Sequence, residues 1–168
     1  ACGGDYVHIS TTDITSSTAS VEVTLPTGYD RFEFIFDLYS AGQAYIYFDF
    51  SQDAGSNWLV NNYKVTGKNG TYSHSLTSTS TAYNGGLMTE RSKYLSGSIK
   101  IHRASETSGT RFVSYASAFD GPTYSASIQN GSGMSTAQTA RINKVKFNAA
   151  GTYTYTSGKI SLYGIKDS

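Results

Sequence analysis

The sequence predicts an all-β chain, an antiparallel two-sheet sandwich that is jelly-roll or Greek-key like in its wiring. Three observations carry this expectation. In Arg31–Leu38, Phe32, Phe34, Phe36 and Leu38 fall on one side of an extended strand, and Arg31, Glu33 and Asp37 fall on the other with Ile35 among them. That period of two suits a strand and no helix. A face of three phenylalanines must be covered, and one sheet cannot cover itself, so a second layer is required. Finally, turn signals separate roughly eight to eleven short alternating runs along the chain, and no stretch has the apolar spacing of an amphipathic helix.

The elements follow in order. Tyr6–Ser10 alternates and predicts a first strand, followed by a polar connection over Thr11–Ser17. Val21, Val23 and Leu25 alternate with Glu22 and Thr24, which predicts a strand over Ser20–Leu25. Pro26-Thr27-Gly28-Tyr29-Asp30 is the turn feeding the Arg31–Leu38 strand. Ser40-Ala41-Gly42-Gln43 reads as a hairpin turn, and Ala44, Ile46, Phe48 and Phe50 then share an inward face opposite Tyr45, Tyr47 and Asp49. The two aromatic strands are expected to pair as neighbours.

Ser51–Asn57 is a turn-rich loop leading to Trp58, with Leu59, Val60 and Tyr63 as a short buried candidate. Asn69-Gly70 marks a hairpin, because both residues tolerate positive φ. Ser73–Arg91 is hydroxyl-rich and reads as a long excursion. Leu95–Arg103 predicts a strand with Leu95, Ile99 and Ile101 inward. In Arg111–Phe119, Val113, Tyr115 and Phe119 share one side, and Phe112 lies opposite. Asp120-Gly121-Pro122 turns into a strand over Tyr124–Gln129, which Asn130-Gly131-Ser132-Gly133 should end. Ala140–Phe147 places Val145 and Phe147 in phase and Ile142 out of phase. Tyr153 and Tyr155 alternate with threonines, and Ile160–Ile165 closes the chain with Leu162 inward. The predicted core is thus Phe32, Phe34, Phe36, Leu38, Ile46, Phe48, Phe50, Ile99, Ile101, Val145, Phe147 and Leu162.

The chain's 168 residues suit one domain, expected over residues 6–168 behind a short flexible segment at residues 1–5. Only 15% of residues are charged, and the net charge is +1, so long-range steering toward nucleic acid is not expected. Hydroxyls and 14 tyrosines fill the deficit, and a surface so poor in charge suits coverage by neighbours in an assembly. Cys2 is the single cysteine, so no intrachain disulfide can form. No apolar run reaches the length of a membrane span or an export leader, and neither is expected.

Residues that carry chemistry are scattered. His8, His74 and His102 share no metal-ligand spacing. Glu33 and Asp49 could face each other only if their strands were adjacent, the arrangement a glycosidase requires. No serine stands in a Gly-x-Ser-x-Gly elbow, and no glycine-rich segment ends in Lys-Ser/Thr before a helix. Asp53-Ala54-Gly55-Ser56-Asn57 is too short and too neutral for a helix-loop-helix calcium site. The expectation is a non-enzyme with no cofactor and no metal. Trp58, Tyr83 and Tyr124 on loops, with Lys144 and Lys146 on one strand face, form the candidate interaction surface. Rings of this kind stack on sugar faces, while the lysines suit an acidic neighbour.

Five segments carry a family resemblance: Pro26–Phe34, Phe50–Trp58, Leu95–Ile99, Ile142–Phe147 and Gly158–Lys166, the last closing on Leu162-Tyr163-Gly164-Ile165-Lys166. Together they resemble small virion structural proteins of tailed bacteriophages, and the likeness spans Pro26 to Lys166. It implies a β-sandwich that decorates the capsid or forms part of a tail fibre or tail tip, commonly as a homotrimer. Its partners are then the major capsid protein or other virion proteins, or a host surface glycan for a receptor-binding tail module. It implies no catalytic residues. Where family members carry Asp-Gly-Gly, this chain has Asp53-Ala54-Gly55. Since the chain reads as one sandwich with no shaft or attachment region, an outer capsid decoration or cement protein is the expected role. Its location is then the virion surface, after assembly in the bacterial cytoplasm, with no nucleic-acid or membrane partner.

Overall fold

The computed structural model of this chain describes residues 5–44, 46–59, 63–69, 72–76, 86–87, 92–119, 127–135, 138–149 and 151–166. Its strands are β1 (Tyr6–Ile14), β2 (Ser20–Thr24), β3 (Arg31–Ala44), β4 (Tyr47–Ser51), β5 (Tyr63–Asn69), β6 (Tyr72–Leu76), β7 (Gly86–Leu87), β8 (Ser92–His102), β9 (Arg111–Phe119), β10 (Ser127–Ser135), β11 (Lys144–Asn148) and β12 (Ser157–Ile165). Among the described residues there is no helix. An 8-stranded sheet runs β1-β12-β3-β8-β9-β10-β5-β6, and a 4-stranded sheet runs β2-β11-β4-β7. Every pairing is antiparallel.

The pairings nest. β1 pairs with β12 and β3 with β8 in the large sheet, while β2 pairs with β11 and β4 with β7 in the small one. An antiparallel ribbon folded over itself, alternating between two sheets, is jelly-roll wiring. The β5–β6 hairpin and the β9–β10 pair are additions that widen the large sheet beyond β8.

Burial follows the alternation. Phe32, Phe34, Phe36 and Leu38 of β3 are at most 2% exposed, as are Ile46, Phe48, Phe50, Ile99, Ile101, Val145, Phe147 and Leu162. The two sheets meet through rings. Phe147 of the small sheet stands edge-on to Phe34, 5.0 Å between centroids, and Phe112 of the large sheet stands edge-on to Phe48 at 4.7 Å and to Phe50 at 5.9 Å. Edge-to-face pairs set a positive rim against a negative face and add to the area that they bury.

The structure corrects several local expectations. β3 and β4 are not neighbours: β3 lies between β12 and β8, and β4 lies in the other sheet between β11 and β7. The residues 40–43 expected to form a hairpin turn continue β3, whose register with β8 shifts between Tyr39 and Ala44. The reason is geometric. Strands paired side by side leave their phenylalanine faces uncovered, whereas strands in facing sheets cover each other's.

On β9 the inward residues are Phe112, Ser114 and Ala116, while Val113 and Tyr115 are 49% and 48% exposed. Asn130, Gly131, Ser132 and Gly133 do not end a strand but lie within β10, paired to β9 and β5. Tyr155 makes an isolated bridge with Thr18 rather than a strand. Ile142 is fully buried just before β11, and its N–H donates to the Ala104 carbonyl at 2.8 Å. Ala1–Gly4, Val60, Asp120-Gly121-Pro122 and most of Ser73–Arg91 lie outside the described residues.

Candidate functional site

The outer face of the small sheet sets several polar and charged groups beside an aromatic ring. Alternation turns Tyr47, Asp49 and Ser51 of β4 away from Phe48 and Phe50. Register places Lys144 opposite Ser51, Lys146 opposite Asp49 and Asn148 opposite Tyr47. On its other edge β11 sets Lys144 opposite Thr24 and Lys146 opposite Glu22. Lys146 therefore has an acidic side chain as its direct neighbour on both sides.

The 52–59 connection is pinned to this face by Ser51, Asp53 and Asn143. The Ser51 hydroxyl donates to Asp53 Oδ1 at 2.8 Å and accepts the Gly55 N–H at 2.8 Å. Asp53 accepts the Asn57 N–H at 2.8 Å and its side-chain amide at 2.7 Å. Those hydrogen bonds, from the Asn57 amide first, hold the Asp53 carboxyl below the usual range. Its oxygens serve the turn. Asn143 accepts the Ala54 N–H at 2.9 Å and donates to the Gln52 carbonyl at 3.0 Å.

The turn needs two left-handed residues, Ala54 at φ 59° and Gly55 at φ 91°. Gly55 also has no room to spare, since a Cβ there would sit 3.2 Å from Lys144 Cδ and Nζ. At Ala54 a Cβ costs energy in that conformation. Ala54→Gly is expected to raise stability by about 0.5–1 kcal/mol after the extra freedom of the unfolded glycine is subtracted. A urea midpoint that falls in this variant speaks against strain at the turn.

Trp58 comes down on the sheet from this turn. Lys146 Nζ lies 4.3 Å from the centroid of its ring, while Lys144 Nζ takes Glu22 Oε2 at 3.0 Å. Trp58, Lys144 and Lys146 thus belong to one surface. Tyr83 and Tyr124 lie outside the described residues. Lys144 has an acidic partner within the chain, Glu22.

Asp49 lies opposite the phenylalanine face of β4, as the alternation predicts, yet it is 1% exposed, and Tyr47 and Ser51 beside it are equally enclosed. Its Oδ2 accepts the Asn148 amide at 3.2 Å, and among the described residues its Oδ1 finds no hydrogen-bond donor. Burial pushes the carboxyl up to about 7, and the Lys146 ammonium pulls against that only in part. A carboxyl opposite a lysine followed by a loop that ends in tryptophan was the available signal, but it is faint.

The remaining candidates do not assemble. Glu33 lies on the outer face of the large sheet, 3.9 Å from Lys100 Nζ, so it cannot face Asp49 across a cleft. His8 and His102 also belong to the large sheet, and burial, then Arg31 and Lys100, hold His102 below the usual histidine range. Among the described residues no group of three metal-capable side chains occurs.

The outer face of the large sheet has another character. Ser161, Ile35, Ser98 and Tyr115 line up across β12, β3, β8 and β9, and Lys100 and Val113 pair in an adjacent row. Ile35, Val113, Tyr115 and Tyr94 are between 47% and 50% exposed. The Ser96 and Ser117 hydroxyls meet at 3.0 Å, those of Thr11 and Ser161 at 2.9 Å, and the Tyr39 and Tyr94 rings at 5.0 Å. No protein-family model matches the chain, and no curated protein matches it.

Proposed function

We propose that this chain is a structural protein of a tailed-bacteriophage virion, an outer decoration of the head that cements the major capsid protein. The observation that carries this reading is the outer face of the large sheet. It sets Ile35, Val113 and Tyr115 half-exposed among serine and threonine hydroxyls. Tyrosine supplies broad contact area at little entropic cost, and hydroxyls adapt to a partner's polar groups. Five strands at about 4.8 Å by some nine residues at about 3.3 Å span roughly 700 Å², close to the roughly 800 Å² per partner of a standard interface. Such a face is too polar to hold tightly alone, but many copies on a lattice add their affinities. The family resemblance supports the particle and suggests a homotrimer as the docking unit.

The test is addition of the purified chain to heads that lack it. Saturable binding at a fixed stoichiometry is expected, with heads that withstand higher temperature. Tyr115→Glu is expected to abolish binding and leave the circular dichroism spectrum unchanged. Retention on one glycan without binding to heads would replace this reading with that of a receptor-binding module of a tail fibre or tail tip.

A further inference from the structure

The geometry points to a proton-operated switch on the outer face of the small sheet, in which Lys146 leaves the face of Trp58 and pairs with Asp49 when Asp49 ionises. Three features define it. Lys146 stands directly across from Asp49 on the adjacent strand and on the same face. Its ammonium nevertheless rests 4.3 Å from the Trp58 ring centroid and, among the described residues, makes no ion pair within 4.0 Å of a carboxylate. Asp49 Oδ1 is buried and has no donor among the described residues. One cation thus has two alternative seats on a flexible four-carbon stem.

The protonation state of Asp49 decides between the seats. A neutral carboxyl exerts little pull, and the indole face holds the ammonium. An ionised, buried carboxylate with an empty acceptor is far costlier than a bare indole, so the ammonium is drawn across. The Asp49 carboxyl, raised to about 7 by burial, brings both states within reach near neutral pH.

Among the described residues, the other groups around it do not compete there. From β2, Glu22 is occupied by Lys144 of β11. From the 52–59 connection, Asp53 is engaged by Asn57 and Ser51 and held below the usual carboxylate range. From β4, Tyr47 and Ser51 flank Asp49, and from β11 Asn148 donates to it. Tyr155 from the 151–156 segment, buried beside Tyr47, is held well above the phenol range.

Trp58 is the only tryptophan, so its emission reports the switch directly. Emission of the full chain, followed from about pH 5 to about pH 9, is expected to shift in one titration centred near neutrality. Asp49→Asn keeps the shape of the side chain and removes its proton, and it is expected to lock the low-pH spectrum across the range. Lys146→Met is expected to abolish the transition as well. A flat profile in the unaltered chain overturns the switch, and so does a transition that survives in either variant. Survival in Asp49→Asn would assign the titration to a group other than Asp49.

Discussion

Phe112→Ala is expected to destabilise the fold by about 3–5 kcal/mol, the range for emptying a buried aromatic site. Phe112 is 1% exposed, and its ring is edge-on to both Phe48 and Phe50 of the facing sheet. Its removal leaves a cavity where β9 meets β4, with rigid strands on both sides that cannot collapse into it. The midpoint of urea unfolding should fall sharply with little change in slope. Val113, the next residue, is 49% exposed on the opposite face, so Val113→Ala should stay within about 0.5 kcal/mol of the parent. A larger loss at Val113 than at Phe112 would mean that β9 presents its other face to the core, since a one-residue slip exchanges the two faces completely.

Asp49→Asn should raise stability at pH 8 and change it little at pH 4. The folded chain holds the Asp49 proton up to about 7, whereas an unperturbed carboxyl releases it at 3.8. Between those values unfolding releases a proton, so the stability contributed by this group falls as pH rises through the window. Below it both states are protonated, and above it both are ionised with the full penalty in place. About three pK units correspond to roughly 4 kcal/mol, which bounds the gain expected from asparagine at pH 8. Asparagine keeps an acceptor for the Asn148 amide and needs no charge solvated. Chemical unfolding of both chains at pH 4, 6 and 8 measures the effect, and a gain equal at all three values would show that ionisation of Asp49 is not its source.

Much of the fold was legible because alternation in a half-buried strand is a local property. The phenylalanines of β3 and β4 had to point one way, and the same reasoning placed Ile99, Ile101, Val145, Phe147 and Leu162 inside. β9 was less legible, since it carries apolar residues on both faces. With Val113 and Tyr115 on the outer face and Phe112 and Ala116 on the inner, the alternation alone favours neither side. Serines and glycines in β10 looked like a strand end. With β9 on one side and β5 on the other, the backbone bonds of that stretch were satisfied without help from its side chains.

The candidate site divides in the same way. That Lys144 and Lys146 share a face follows from their spacing. That Trp58 caps Lys146, that Glu22 takes Lys144 and that Asp49 is shut from water depend on partners distant in sequence.

The amino-acid order by itself determined an all-β chain, the apolar side of most of its strands and the need for two layers, because side chains two residues apart must share a face. Only the tertiary structure decided which strand lies beside which, that β3 packs across the core on β11 while β4 packs on β9, and that Asp49 is enclosed. Alternation specifies a direction for each side chain and no partner. The partner is chosen by burying every apolar face at once.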